Sequence, residues 1–171
     1  MVLVYLPESG KFISSEPAQR YAFDSYFAAA VRRSGGAKVL TLQKNYPYGW
    51  ELLSMAARIA STILLEMLIA LLFGLWNRRL LTGIFAVNVV TQCILNVLLN
   101  IFNYRGGSWA FVSHYIWMEV LIVLLEWAVY RYWFHKNGVE KRWVPVTYSI
   151  VANSFSFACG FFLARLIPGI F

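Results

Sequence analysis

Four long apolar runs constrain this chain more than any other feature of its sequence. They cover residues 52–76, 80–102, 109–134 and 143–167. Each run exceeds the length of about 20 residues that a helix needs to cross the hydrocarbon core of a bilayer. The chain is 60 % hydrophobic and 13 % charged, whereas soluble domains are about 25 % charged. The sequence therefore predicts an all-α membrane protein and excludes a soluble globular domain and a disordered chain.

The connections between these runs are short and polar. Residues 77–79 join the first two runs, residues 103–108 join the next two, and residues 135–142 precede the last. Connections this short place neighbouring helices antiparallel. The predicted fold is an antiparallel four-helix transmembrane bundle over residues 51–171, preceded by a separate segment over residues 1–50.

Basic residues are distributed unevenly among the three connections. The second connection holds only Arg105. The first and third connections, together with Arg131 shortly before the third, hold six basic side chains. These are Arg78, Arg79, Arg131, Lys136, Lys141 and Arg142. Because positive residues remain in the cytoplasm, we predict a multi-pass plasma-membrane protein with both termini extracytoplasmic. The net charge of +7 then reflects orientation, and no nucleic-acid partner is expected.

The first residues of the chain predict a β-hairpin. Residues 2–6 alternate weakly between apolar and other side chains, residues 7–10 form the turn signal Pro-Glu-Ser-Gly, and residues 11–13 continue as a strand. Such a run, turn and run is typical of two antiparallel strands.

Two more strands are predicted at residues 26–31 and 38–42, separated by Ser-Gly-Gly at residues 34–36. Three consecutive alanines at residues 28–30 leave a helix there as an alternative. The orientation makes this β-rich segment extracytoplasmic. However, Met1 is not followed by a signal peptide, which would consist of a basic region and an apolar helical stretch. We therefore expect the β-rich segment to be incomplete and a leader to precede it in a longer chain.

Four stretches carry a resemblance to a protein family. They are residues 16–27 with RYAFDSYF at residues 20–27, YGWELL at residues 48–53, the span around Glu66, and ANSFS at residues 152–156. In these stretches the chain resembles a family of uncharacterised bacterial multi-pass membrane proteins. The resemblance implies a cleaved leader, an exported β-rich region and four C-terminal spans, and it implies no activity.

Polar residues within the spans form two tiers. At about 1.5 Å per residue from the cytoplasmic ends, Glu66, Asn88, Glu126 and Asn153 lie about 12–16 Å deep in an inner tier. Two carboxylates at one depth cannot both be charged at low cost. Either Glu66 and Glu126 are protonated and bonded to the two asparagines as internal glue, or they bind a proton or a cation.

The outer tier contains one basic, one acidic and one amide side chain. They belong to Arg58, Glu119 and Asn96, about 22–28 Å from the cytoplasmic ends. An ion pair between Arg58 and Glu119, with Asn96 beside it, would neutralise both charges and fix the register of the helices. We therefore predict a structural polar network here.

A ridge of small residues follows the fourth span at intervals of four. Small residues at this spacing let helix backbones approach closely, so the ridge predicts internal packing or dimerisation. The residues are Ala152, Ser156, Gly160 and Ala164.

No catalytic, cofactor or metal-binding motif is recognisable in the sequence. We predict a non-enzymatic polytopic membrane protein that anchors an exported binding domain or serves as a subunit of a membrane assembly. The alternative is a small transporter or channel-like protein that handles a cation or proton at Glu66 and Glu126. The expected partners are the lipid bilayer and either a second copy of the chain or another membrane subunit.

Overall fold

A computed structural model describes the backbone of residues 1–166 and the side chains of residues 1–162. The chain divides into two compact units, the first covering Met1–Tyr48 and the second beginning at Gly49. The first unit is built of β-hairpins and the second of helices.

The first unit contains four strands in two antiparallel hairpins. The sequence predicts the first hairpin and two further strands, and the structure pairs those two strands with each other. Strand β1 (Leu3–Leu6) pairs with β2 (Lys11–Ser14), and β3 (Phe27–Ser34) pairs with β4 (Ala37–Lys44). The alternative of a helix at residues 28–30 is therefore wrong.

Two consecutive glycines explain the tight turn of the second hairpin. Ser34 lies opposite Ala37, so the turn consists of Gly35 and Gly36 alone. Both have positive φ, of 57° and 85°, which is the conformation of a type I′ turn. Leu40 of β4, which is 3 % exposed, anchors the small core of this unit.

Three helices in the described part of the chain are long and apolar enough to cross a membrane, rather than the predicted four. They are α1 (Tyr48–Leu72), α2 (Arg78–Lys136) and α3 (Trp143–Leu166). The predicted second and third spans both belong to α2, which is 59 residues long. The predicted loop at residues 103–108 is absent, because the helix continues through it with a single break.

That break is at Gly107, whose φ of 75° and ψ of −172° are not helical. The Asn88 Nδ2 atom donates to the Tyr130 hydroxyl at 3.2 Å, although 42 residues separate them. In a straight helix these residues would be about 63 Å apart. The chain therefore reverses at Gly107, and the two halves of α2 run antiparallel.

The ends of the helices differ slightly from the predicted spans. Helix α1 ends at Leu72 rather than Trp76 because Gly74, with φ of 75°, begins a left-handed turn. The Gly74 and Leu75 N–H groups each donate to a carbonyl of the last helical turn at 3.0 Å, as in a Schellman motif. Residues 73–76 are apolar, but apolarity alone does not make them helical. The end of the predicted fourth span, at residue 167, lies outside the described residues.

The helical unit buries strongly polar side chains among apolar ones, and its outer surface is apolar. Its buried residues include Glu66, Asn88 and Glu126, each 0 % exposed, whereas Leu72 is 85 % and Leu121 is 63 % exposed. A soluble protein rarely leaves so continuous an apolar surface in water. The arrangement suits a helical protein whose solvent is lipid, as the sequence predicts.

Candidate functional site

Four buried polar residues form what we call the acidic cluster: Glu66, Asn88, Glu126 and Asn153. One comes from α1, one from each half of α2, and one from α3. All are at most 2 % exposed. These are the residues of the predicted inner tier, and the structure brings them together because each occupies the interior face of its helical segment.

The carboxyl group of Glu126 is fully hydrogen-bonded. The Thr91 hydroxyl donates to Oε1 at 2.8 Å, and Asn153 Nδ2 donates to Oε2 at 2.7 Å. Asn153 Nδ2 also donates to the Ser149 carbonyl at 3.0 Å. Because both carboxyl oxygens have donors, Glu126 is suited to the charged form.

The carboxyl group of Glu66 is only partly hydrogen-bonded. The Ser156 hydroxyl donates its single hydrogen to the Asn153 carbonyl at 3.0 Å and, less favourably, to Oε1 at 3.4 Å. Oε2 accepts no hydrogen bond of normal geometry, although the Asn88 amide lies near the carboxyl group. The main-chain carbonyl of Glu66 accepts from the Tyr148 hydroxyl at 3.2 Å. Glu66 is therefore suited to the form that carries a proton, since a proton on Oε2 would turn this oxygen into a donor.

Three oxygens of the acidic cluster are buried without any donor: Glu66 Oε2, Asn88 Oδ1 and Asn153 Oδ1. A buried acceptor without a donor costs about 1–3 kcal/mol. All three are acceptors, so further acceptors cannot satisfy them. A proton or a cation can.

No basic side chain compensates the two carboxyl groups. Among the described residues, the hydrogen bonds of Glu66 and Glu126 come from hydroxyl and amide groups, and none comes from Lys, Arg or His. The two carboxyl groups are close enough to repel each other electrostatically. Two neighbouring buried carboxylates cannot both be ionised at low cost, so the cluster holds at most one negative charge without a bound cation.

Arg58 forms a separate network with amides. Its Nε donates to Asn96 Oδ1 at 3.0 Å and its Nη2 donates to Asn100 Oδ1 at 3.3 Å. The predicted ion pair with Glu119 is wrong, because Glu119 contacts the Tyr115 hydroxyl of its own helix instead. Two asparagines one turn apart on the half of α2 before Gly107 supply acceptors to Arg58, and on the other half the guanidinium group lies 5.8 Å from the centre of the Phe111 ring.

A cavity of about 320 Å³ lies between this network and the acidic cluster. Arg58, Asn96 and Glu119 line it together with apolar side chains, and so does Ser156. Ser156 is also the residue whose hydroxyl donates to Glu66. A second cavity of about 260 Å³ is lined by Glu119 and Asn153. The two cavities thus reach residues that hydrogen-bond the buried carboxyl groups.

The ridge of small residues contributes to the interior. Ala152 is 0 % and Ser156 is 6 % exposed, and Gly160 lines the 320 Å³ cavity. The side chain of Ala164 lies outside the described residues. At Ala152 and Ser156 the ridge serves packing within the protein, and Ser156 additionally bonds Glu66.

Three residues of the site escape the sequence analysis: Thr91, Tyr130 and Tyr148. Thr91 lies three residues after Asn88, and Tyr130 lies four residues after Glu126, so both share a helix face with a predicted site residue. That spacing is the signal that could have identified them. Tyr148 lies four residues before Ala152 of the predicted ridge, but this spacing does not indicate its contact with the main chain of Glu66, which only the packing of α3 against α1 reveals.

No group of three or more His, Cys, Asp and Glu side chains in the described part of the chain is arranged to hold a metal ion. Comparisons with protein-family models, with curated proteins and with solved structures find no match to this chain. The resemblance to bacterial multi-pass membrane proteins stays a prediction.

Proposed function

We propose that this chain is a multi-pass plasma-membrane protein that binds a proton in its acidic cluster. In this proposal α1, the two halves of α2, and α3 form four spans, and both termini are extracytoplasmic. The observation that supports proton binding is the set of three buried acceptor oxygens without donors beside two carboxyl groups without a cation.

A proton on Glu66 Oε2 reduces both the excess of negative charge and the shortage of donors. It removes one of two neighbouring negative charges, and it supplies a donor for Asn88 Oδ1 or Asn153 Oδ1. A hydrated cation needs space as well as oxygen ligands. The two cavities beside the cluster are lined by Ser156 and Asn153 but not by Glu66 or Glu126, so a proton fits this cluster better than an inorganic cation does.

The Ser156 hydroxyl offers the proton a route. A hydroxyl both donates and accepts hydrogen bonds, and this one connects the 320 Å³ cavity with Glu66 Oε1. Asn153, which connects the 260 Å³ cavity with Glu126, offers Glu126 only an amide donor. We therefore assign exchange of the proton to Glu66 by way of Ser156.

Infrared spectroscopy of the protein in lipid tests this assignment. We expect the carbonyl band of a protonated carboxylic acid, because at most one carboxyl of the cluster is charged. Glu66→Gln should remove the band. Glu8→Gln, which alters an exposed carboxyl group of the first unit, should leave the band unchanged. In D₂O the band should shift as the proton exchanges, and Ser156→Ala should slow the shift.

Two results would contradict the proposal. If the spectrum contains no protonated carboxyl band, both glutamates are charged. If the band is present but does not shift in D₂O, the proton is a permanent part of the packing, and the acidic cluster is internal glue.

The second result would favour the other candidate function, a non-enzymatic anchor or assembly subunit. One observation supports that function independently. Leu3, Tyr5 and Phe12 of the first hairpin are 57 %, 52 % and 64 % exposed, and the rings of Tyr5 and Phe12 lie 4.9 Å apart. An exposed apolar patch of this kind is typical of a surface that binds another protein.

Cysteine accessibility tests the four proposed spans. In a background of Cys93→Ala and Cys159→Ala, we expect an impermeant maleimide to label Ser108→Cys in intact cells. Asn137→Cys should react only after permeabilisation, because one span separates the two positions. Labelling of both variants in intact cells would mean that the second half of α2 does not cross the membrane.

A further inference from the structure

A groove at the connection between α2 and α3 is strongly basic. It has a volume of about 380 Å³ and is lined by Arg131, His135, Lys141 and Arg142. We call it the basic groove. Glu140 is its one acidic lining residue, so the lining carries a net positive charge even with the histidine neutral.

The positive charges of the basic groove are available to a ligand. All four basic side chains are exposed, and among the described residues none forms an ion pair with a carboxylate. Helix α3 begins at Trp143, directly after Lys141 and Arg142. The partial positive charge at the start of a helix adds to theirs.

Aromatic residues place the basic groove at the depth of lipid headgroups, if the spans are those of the proposed function. Tyr132 and Trp143 flank the groove and are 68 % and 57 % exposed. Exposed tyrosine and tryptophan side chains at the ends of spans concentrate at the membrane–water interface.

We propose that the basic groove binds the phosphate-bearing headgroup of an anionic phospholipid. Guanidinium groups bind phosphate oxygens in pairs of parallel hydrogen bonds, and basic pockets between spans on the cytoplasmic side suit such headgroups. Free phosphate shares this chemistry. The lipid fits better because Ala128 lines the groove, and Leu124, one turn earlier, is 52 % exposed and offers an acyl chain an apolar surface.

Native mass spectrometry of the purified protein in detergent tests this proposal. With phosphatidylglycerol and phosphatidylcholine of identical acyl chains, we expect about a ten-fold preference for the anionic lipid. The variant Arg131→Gln/Lys141→Gln/Arg142→Gln should lose that preference. Its side chains are exposed, so its thermal unfolding should match that of the unmodified protein.

A matched control removes the same number of charges outside the groove. The control variant is Arg78→Gln/Arg79→Gln/Lys136→Gln, which changes three exposed basic residues. These residues lie at the same end of the helical unit as the groove, because the Trp133 Nε1 atom donates to the Arg79 carbonyl at 3.3 Å. This variant should keep the preference. Equal loss in both variants would mean unspecific attraction, and displacement of the lipid by inorganic phosphate would mean a phosphate site; either result overturns the proposal, as does equal binding of the two lipids.

Discussion

Replacing Asn153 with leucine is expected to destabilise the helical unit by about 3 kcal/mol. The two side chains have the same number of heavy atoms and the same branching at Cγ, so the substitution leaves no empty space. It removes the 2.7 Å hydrogen bond to Glu126 Oε2, and a buried carboxyl group that loses a donor is strongly destabilised. Unfolding of the protein in mixed micelles, followed by circular dichroism, measures the difference.

Glu126→Gln is the matched control, and we expect it to cost less than about 1 kcal/mol. The amide retains the shape of the carboxyl group, and its N–H groups can donate to Asn153 Oδ1, which has no donor. The double substitution Glu126→Leu/Asn153→Leu should recover part of the loss, because it removes the carboxyl group together with its donor. If Asn153→Leu costs no more than Glu126→Gln, the carboxyl group does not depend on this amide.

The acidic cluster is predictable from the sequence because helical spacing fixes which residues share a face. Glu66, Asn88, Glu126 and Asn153 are strongly polar residues well inside their spans, and lipid excludes them from the outer surface. Their contact follows from the antiparallel order of the spans. The sequence does not indicate which hydrogen-bond donors reach each carboxyl group. Only the packing shows that both oxygens of Glu126 accept hydrogen bonds whereas Oε2 of Glu66 accepts none.

The error in the number of helices has its cause in the reversal of α2. The six residues 103–108 have the polar, glycine-containing composition of a loop, but one glycine with positive φ is enough to turn the chain. The missing ion pair has a separate cause, because Asn96 and Asn100, which both precede the reversal, accept hydrogen bonds from Arg58, and Glu119 contacts Tyr115 instead. The second hairpin of the first unit has a clear turn signal, since Gly-Gly between two strands favours a type I′ turn, although the three alanines of β3 leave a helix as an alternative.

Gly107→Ala is expected to destabilise the helical unit by about 1–3 kcal/mol. The combination of φ near 75° and ψ near −172° belongs to a region that is essentially confined to glycine. An alanine there either retains the strained backbone or becomes helical. A helical residue would extend α2 into a straight rod of about 88 Å, which separates Thr91 from Glu126 and Asn88 from Tyr130.

Gly160→Ala separates this effect from the general cost of adding a methyl group. Gly160 has ordinary helical geometry, and the nearest atom to an added Cβ is the Tyr115 hydroxyl oxygen at 3.9 Å, so we expect a change within about 0.5 kcal/mol. Unfolding of both variants in mixed micelles gives the comparison. Equal stabilities would mean that the reversal does not require a left-handed residue, whereas a loss confined to Gly107→Ala means that this single backbone conformation holds the donors of both halves of α2 against the acidic cluster.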